Sequence, residues 1–196
     1  MRGEPIESVK VGLEAMLTNL RTRPNTLESA WLSIITFDKE VRQILPLTSL
    51  DELQLPELVA PESGPTLTGE ALKLLLERYD KEVKKGSMEQ KGDWMPLLFI
   101  MTDGKPSDIK LYRDMIPKVT NHRFGSIIAC AAGPKSKPEY LKELTDNVYS
   151  LDTLDSSSFT AFFGFISQSI DQGNNSFAAT GEVELPPPPE EVNILI

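Results

Sequence analysis

A single cysteine and a single histidine stand among 196 residues, and that shortage excludes a good deal. One cysteine rules out a disulfide within the chain and fits a reducing compartment. It is Cys130, set in the apolar run "SIIACAAG", where a buried inert thiol is the expectation rather than a nucleophile. His122, in the polar stretch "TNHRFG", is the one base a Ser-His-Asp triad could use, and a surface position is expected for it. Neither a GxxxxGK[ST] nor a GxGxxG phosphate loop occurs, and there is no Cys/His metal-ligand cluster. The longest apolar runs, such as "MPLLFIM", are too short to span a bilayer. No charged start followed by an apolar stretch marks a secretory signal. Basic clusters are missing as well. With a net charge of −9, nothing could replace the counterions of a nucleic acid, so that partner class is set aside. The expectation is a cytoplasmic chain with no membrane and no nucleic-acid partner.

What is present is an ordinary globular composition, 40% hydrophobic and 25% charged. Ile6, Val9, Leu13, Met16, Leu17 and Leu20 fall at helical spacing, and Pro5 suits the first helical turn. The chain is thus predicted to be helical from nearly its first residue. After a turn at "RTRPNT", "AWLSIITF" reads as a buried strand and "VRQILPLT" as a weaker strand towards a sheet edge. A Pro-punctuated loop leads to an amphipathic helix in "TLTGEALKLLLERYDKEVKK". "MPLLFIMTDG" fits a strand buried on both faces of a parallel sheet. Then come a helix in "SDIKLYRDMIPK" limited by Pro117, a strand in "RFGSIIACAAG", a short helix in "PEYLKELT", a strand in "NVYSLD" and a last helix in "SSSFTAFFGFISQSI". Alternating strands and helices predict an α/β fold with a doubly wound, mainly parallel sheet over residues 1–172.

Residues 173–196 form an acidic Pro-rich tail, in which Glu182, Glu184, Glu190 and Glu191 meet no Lys or Arg. Pro186 to Pro189 favour an extended spacer. A disordered tail is expected, its apolar end from Val192 to Ile196 either binding a partner as a strand or folding back.

Ligands of open α/β sheets bind at the carboxyl ends of strands. Two places qualify: "FIMTDGKPSD", with Asp103 at a strand end and Gly104 beside it, and "PESGPTLTGEALKLL", with Thr66 and Thr68. A carboxylate and a hydroxyl converging there would suit a hard cation such as Mg²⁺. The plainer alternatives are that Thr66 or Thr68 caps the helix and that Asp103 starts a turn. Asp103 with Asp108 could also mimic the paired carboxylates of a Mg²⁺-dependent phosphohydrolase, although Lys105 alone supplies little phosphate binding. "KGDW", from Lys91 to Trp94, looks like an adhesion tripeptide.

Taken in order, "ITFD", "GPTLTGEAL", "EQKGDWMPLLFIMTDGKPSD" and "LPPPPEEVNILI" resemble a von Willebrand factor A (vWA) domain, and in particular the bacterial TerY-like tellurium-resistance proteins. The resemblance implies a Rossmann-like sheet carrying a metal-ion-dependent adhesion site (MIDAS). Its ligands would come from a D-x-S-x-S segment after the first strand, a Thr and an Asp. Thr66 and Asp103 match the last two, whereas D-x-S-x-S has no match. "MRGEPIESVK" resembles the text that follows that motif, so the resemblance implies an N-terminally truncated fold lacking a strand from the middle of the sheet. Such a chain is expected to be marginal or aggregation-prone and to hold Mg²⁺ weakly. The implied function is a non-enzymatic protein–protein interaction module, a scaffold or adaptor in bacterial tellurium or metal stress. In the complete domain a divalent cation would bridge to an acidic residue of a protein partner. Specificity would come from loops holding Thr68, Gly104, Lys105, Asp93 and Trp94. The alternatives are the phosphohydrolase and a vestigial, metal-free protein that binds through its tail.

Overall fold

The chain runs α1 (Glu4–Arg21), α2 (Pro24–Ser29), β1 (Trp31–Phe37), β2 (Val41–Ser49), α3 (Thr68–Glu82), β3 (Leu97–Thr102), α4 (Ile109–Asn121), β4 (Ser126–Ala132), α5 (Pro138–Lys142), β5 (Val148–Leu151), α6 (Ser156–Ser176) and β6 (Asn193–Ile194). The structure is a computed structural model; it describes residues 4–60, 64–86, 92–176 and 185–195, without the side chains of 173–176.

Helices cover both faces of a parallel core, the doubly wound arrangement expected. On one face α1 lies along α6, so that Leu13, Met16 and Leu17 meet Phe159, Phe162 and Ile166 in one cluster. Gly12 lets the two helices close up, since a Cβ there would stand 2.5 Å from the Phe163 ring. On the other face Leu72 and Leu76 of α3 join Tyr112, Met115 and Val119 of α4. β4 separates the layers by simple alternation. Ile128, Cys130 and Ala132 point to the first cluster and Ala129 and Ala131 to the second.

The strands form two sheets. β1 and β2 pair antiparallel, and β3–β4–β5–β6 make a second sheet in which the first three run parallel and β6 is antiparallel to β5. β1 and β3 are not hydrogen-bonded to each other.

Several expectations need correction. The "RTRPNT" turn ends in a short helix, α2, because Pro24 presets its first turn. Thr26 Oγ1 then donates to Asp171 Oδ1 at 2.8 Å and ties it to α6. β1 and β3 are only partly buried, Trp31 being 59% exposed, because each has an open flank. α4 passes through Pro117 to Asn121, its apolar face held by Tyr112, Met115 and Val119. α6 continues beyond residue 172 to Ser176. The end of the tail folds back: Leu195 N donates to Val148 O at 2.8 Å, β6 pairs with β5, and Val192 is 3% exposed. Burial of Val192 and the covered β5 edge outweigh the ordering cost. Residues 177–184 of the acidic segment lie outside the described residues. Among the described residues no helix is long and apolar enough to cross a membrane.

Candidate functional site

The loop before α3 is held at the carboxyl ends of both β1 and β3. Leu67 N donates to Asp38 O at 3.0 Å, just past β1. Thr66 N donates to Ser107 Oγ at 2.9 Å, and Ser107 N returns a bond to Thr66 O at 2.9 Å. Thr66 is thereby held against the turn after β3. The approach is close: a Cβ on Gly104 would sit 3.3 Å from Thr66 Oγ1, so that the hydroxyl would have to give by a few tenths of an ångström. Asp103 precedes that glycine and is half-buried, as Thr66 is. The two residues singled out from the sequence therefore occupy one corner, with Gly104 between them and exposed Lys105 at its rim. Sequence reading missed the two fasteners, the Asp38 carbonyl and Ser107. A hydroxyl in the "KPSD" turn was the available signal for Ser107.

Other candidates have different roles. Asp108 supplies both oxygens to the start of α3, accepting Gly69 N at 3.1 Å and Glu70 N at 2.9 Å. It caps a helix other than its own, which is why local spacing suggested a catalytic pair instead. Gly69 must be glycine for this contact, since a Cβ would meet Tyr112 N at 2.5 Å. Neither Thr66 nor Thr68 caps α3; Leu67 occupies the cap position and gives no side-chain bond. Thr68 is 1% exposed, its hydroxyl has no partner among the described residues, and it is no part of a partner-facing surface. Asp93 and Trp94 lie before β3, at the opposite end of the strand, about 20 Å from the corner at roughly 3.3 Å per residue. There Asp93 exchanges hydrogen bonds with Lys84, accepting its N–H at 2.8 Å and donating to its carbonyl at 2.9 Å. They cannot share a contact surface with Thr66 unless the partner spans the whole strand.

His122 stands 2.7 Å from Lys118 O through Nδ1 and packs edge-on to Tyr79, with no serine in reach among its described bonds. Cys130 is fully buried in β4, and desolvation pushes its thiol pKa up. Burial of this kind disfavours the reactive thiolate.

The corner does not make a complete cation site. Thr66 and Asp103 offer a hydroxyl and one carboxylate, and the described residues hold no group of three or more His, Cys, Asp or Glu placed to bind a metal. Mg²⁺ takes about six oxygen ligands in near-octahedral geometry. These donors are too few for tight binding.

The fold is a vWA-like α/β one. No family model and no curated protein matches the chain. Solved structures of proximal thread matrix protein 1 from the mussel byssus do match it. Two of them are 14% identical with TM-score 0.62, covering 84% of this chain and 43% and 42% of theirs. A third, with a zinc-occupied MIDAS motif, is 15% identical with TM-score 0.61 and covers 84% and 43%. The likeness is one of fold, and the chain spans less than half the length of those proteins.

Proposed function

We propose that the chain is a non-catalytic, cytoplasmic protein-interaction module whose partner-facing end is the Thr66–Asp103 corner. One observation carries the reading: two hydrogen bonds between Thr66 and Ser107 hold the loop before α3 against the turn that begins at Asp103, at the strand ends where α/β folds bind ligands. The vWA-like fold supports it, and the sequence resemblance extends it to a scaffold or adaptor in bacterial tellurium or metal stress. A divalent cation belongs to this reading only if a partner brings further oxygen ligands. Asp108, spent on the α3 backbone, weighs against the phosphohydrolase alternative, and the docked 192–195 segment weighs against a free hook at the tail.

The test is affinity capture from a bacterial lysate with the chain, Thr66→Ala and Asp103→Ala, each with and without Mg²⁺, after melting curves establish that all three fold alike. A specific protein retained by the chain and lost from both variants is the expected result. Capture that ignores both substitutions overturns the reading. Hydrolysis of p-nitrophenyl phosphate that disappears in Asp103→Asn would replace it with the enzyme.

A further inference from the structure

β5 is short, Val148–Leu151, and its two edges are held in different ways. One edge belongs to β4. Ala129 N donates to Asn147 O at 2.9 Å and Gly133 N to Leu151 O at 2.8 Å, so the main-chain groups of Val148 and Ser150 face away from β4. The chain itself covers that second edge. Leu195 N donates to Val148 O at 2.8 Å, and the antiparallel register sets Ile194 against Tyr149 and Asn193 against Ser150. Before Asn193 the segment turns away, Val192 N donating to Pro189 O at 3.0 Å, and the pairing stops there.

The hold of residues 185–195 on the domain is narrow. Val192 is buried in the cluster shared with α1 and α6, Leu185 packs against that cluster, and Pro186 is buried. Leu195 is half-buried against the α3–α4 cluster, so the segment grips the sheet edge from both faces. Asn193 Nδ2 adds an exposed bond to Asp152 Oδ2 at 3.1 Å. The rest stands in water. Ile194 is 51% exposed, and Glu190 and Glu191 are exposed with no ion pair among the described residues. Ordering each residue of the segment costs backbone entropy, which Pro186 to Pro189 reduce because their φ is already fixed. A segment with few buried apolar anchors and exposed main-chain bonds opens locally, before the domain as a whole. Once open, it leaves β5 with unpaired N–H and C=O groups beside the emptied seats of Val192 and Leu195.

We propose that residues 185–195 are a detachable strap, and that the β5 edge beneath them is a strand-addition site for an extended segment of a partner protein. The strap shows the chemistry of that occupant: main-chain pairing antiparallel to β5, with apolar residues three positions apart that reach opposite faces of the sheet. A partner strand that runs straight on past Ser150, where the strap turns off at Val192, gains pairing that the strap forgoes. It needs that gain, because a tethered strap competes at high effective concentration. The site lies on the far side of β4 from β3 and uses neither Thr66 nor Asp103, so it goes beyond the function proposed above and stands or falls apart from it.

The test uses the full chain and two fluorescein-labelled peptides. One copies residues 185–195; the other, Thr-Val-Thr-Val-Asn-Ile-Leu, stays extended where the strap turns off. Amide exchange of the chain alone comes first. Residues 192–195 should exchange about tenfold or more faster than β4, at a rate that low urea leaves unchanged, the signature of local opening. Val192→Asp in the full chain should loosen the strap, and anisotropy should then show the copied peptide binding about tenfold or more tighter than to the parent chain, with slowed exchange in β5. Asn193→Ala removes only the bond to Asp152 and should tighten that binding about fivefold, with melting curves confirming the fold of both variants. The extended peptide should bind the parent chain more tightly than the copied one does. Exchange of residues 192–195 no faster than that of β4 overturns the proposal. So does binding that is absent or equal in all three chains, protection outside β5, or an extended peptide with no advantage. A parent chain that elutes as a dimer and becomes a monomer in Val192→Asp assigns the strap to exchange between two copies and overturns it too.

Discussion

β4 and β1 are both seven-residue strands of mostly apolar sequence, "SIIACAA" and "WLSIITF". β4 is fully buried over its last five residues, with a parallel neighbour on each side. β1 has no fully buried residue and one neighbour. Composition made both of them strands. What lies on each flank decided how much water each one sees, and that depends on chain remote in sequence.

If burial tracks flanking partners in this way, truncations should cost most on the closed side. Phe159, buried on α6 beneath β4 and β5, should lose about 3–5 kcal/mol as Phe159→Ala, read from urea denaturation. Phe37→Ala, half-buried on β1, should lose distinctly less; equal losses would mean the open half is packed as tightly as the closed one. Gly69→Ala presses a methyl into the α4 backbone and should cost about 1–3 kcal/mol. Gly164→Ala, with no atom within 4 Å of its Cβ, should instead gain about 0.5–1 kcal/mol by helix propensity. Thermal melts of the pair check both signs.

A smaller effect belongs to the start of α6. Asp155 accepts Ser157 Oγ at 2.6 Å and Ser158 N at 2.9 Å, and these bonds, the Ser157 hydroxyl first, hold its carboxyl well below the usual range. The folded pKa is depressed, so the cap's contribution is whole above the unfolded value near 3.9 and is lost as acid protonates the folded group. Asp155→Ala should therefore lower the urea midpoint at neutral pH, and the gap to the parent should narrow steadily as pH falls below about 3.9. A gap independent of pH would show that the side chain does not cap. Least of all, Trp31→Ala should change stability by no more than about 0.5 kcal/mol, as for other exposed sites; a larger loss by urea denaturation would mean that the Trp31 ring is covered in solution.

Much of this fold was legible in the sequence. The 3.6-residue period of α1 and α3 and the unbroken apolar runs of β3 and β4 placed those elements and their parallel pairing. That Thr66 and Asp103 lie towards one corner followed from a strand end and a helix-opening loop at the carboxyl side of the sheet; their role as ligands came only from the resemblance. Other features depended on distant partners. Pro117 signalled a helix end, but the buried face of α4 carries the helix past it. Asp108 precedes α4 yet serves α3, a link between residues 39 apart for the Gly69 bond. The acidic, proline-rich tail had the composition of a disordered spacer, and Val192 and the free edge of β5 outweighed it. Asp93 and Trp94 belonged to the most specific motif in the chain, and the length of β3 carried them to the opposite end from the corner.

The lone cysteine has a kinetic consequence. Cys130 sits at the centre of the strand with neighbours on both sides, so a thiol reagent reaches it only while the closed half is open. Where reclosing outpaces labelling, the reaction rate reports how often that half is open; with a faster reagent it reports how quickly the half opens. A single unmodified side chain thus serves as a clock for one half of the molecule, to be run beside amide exchange in the other.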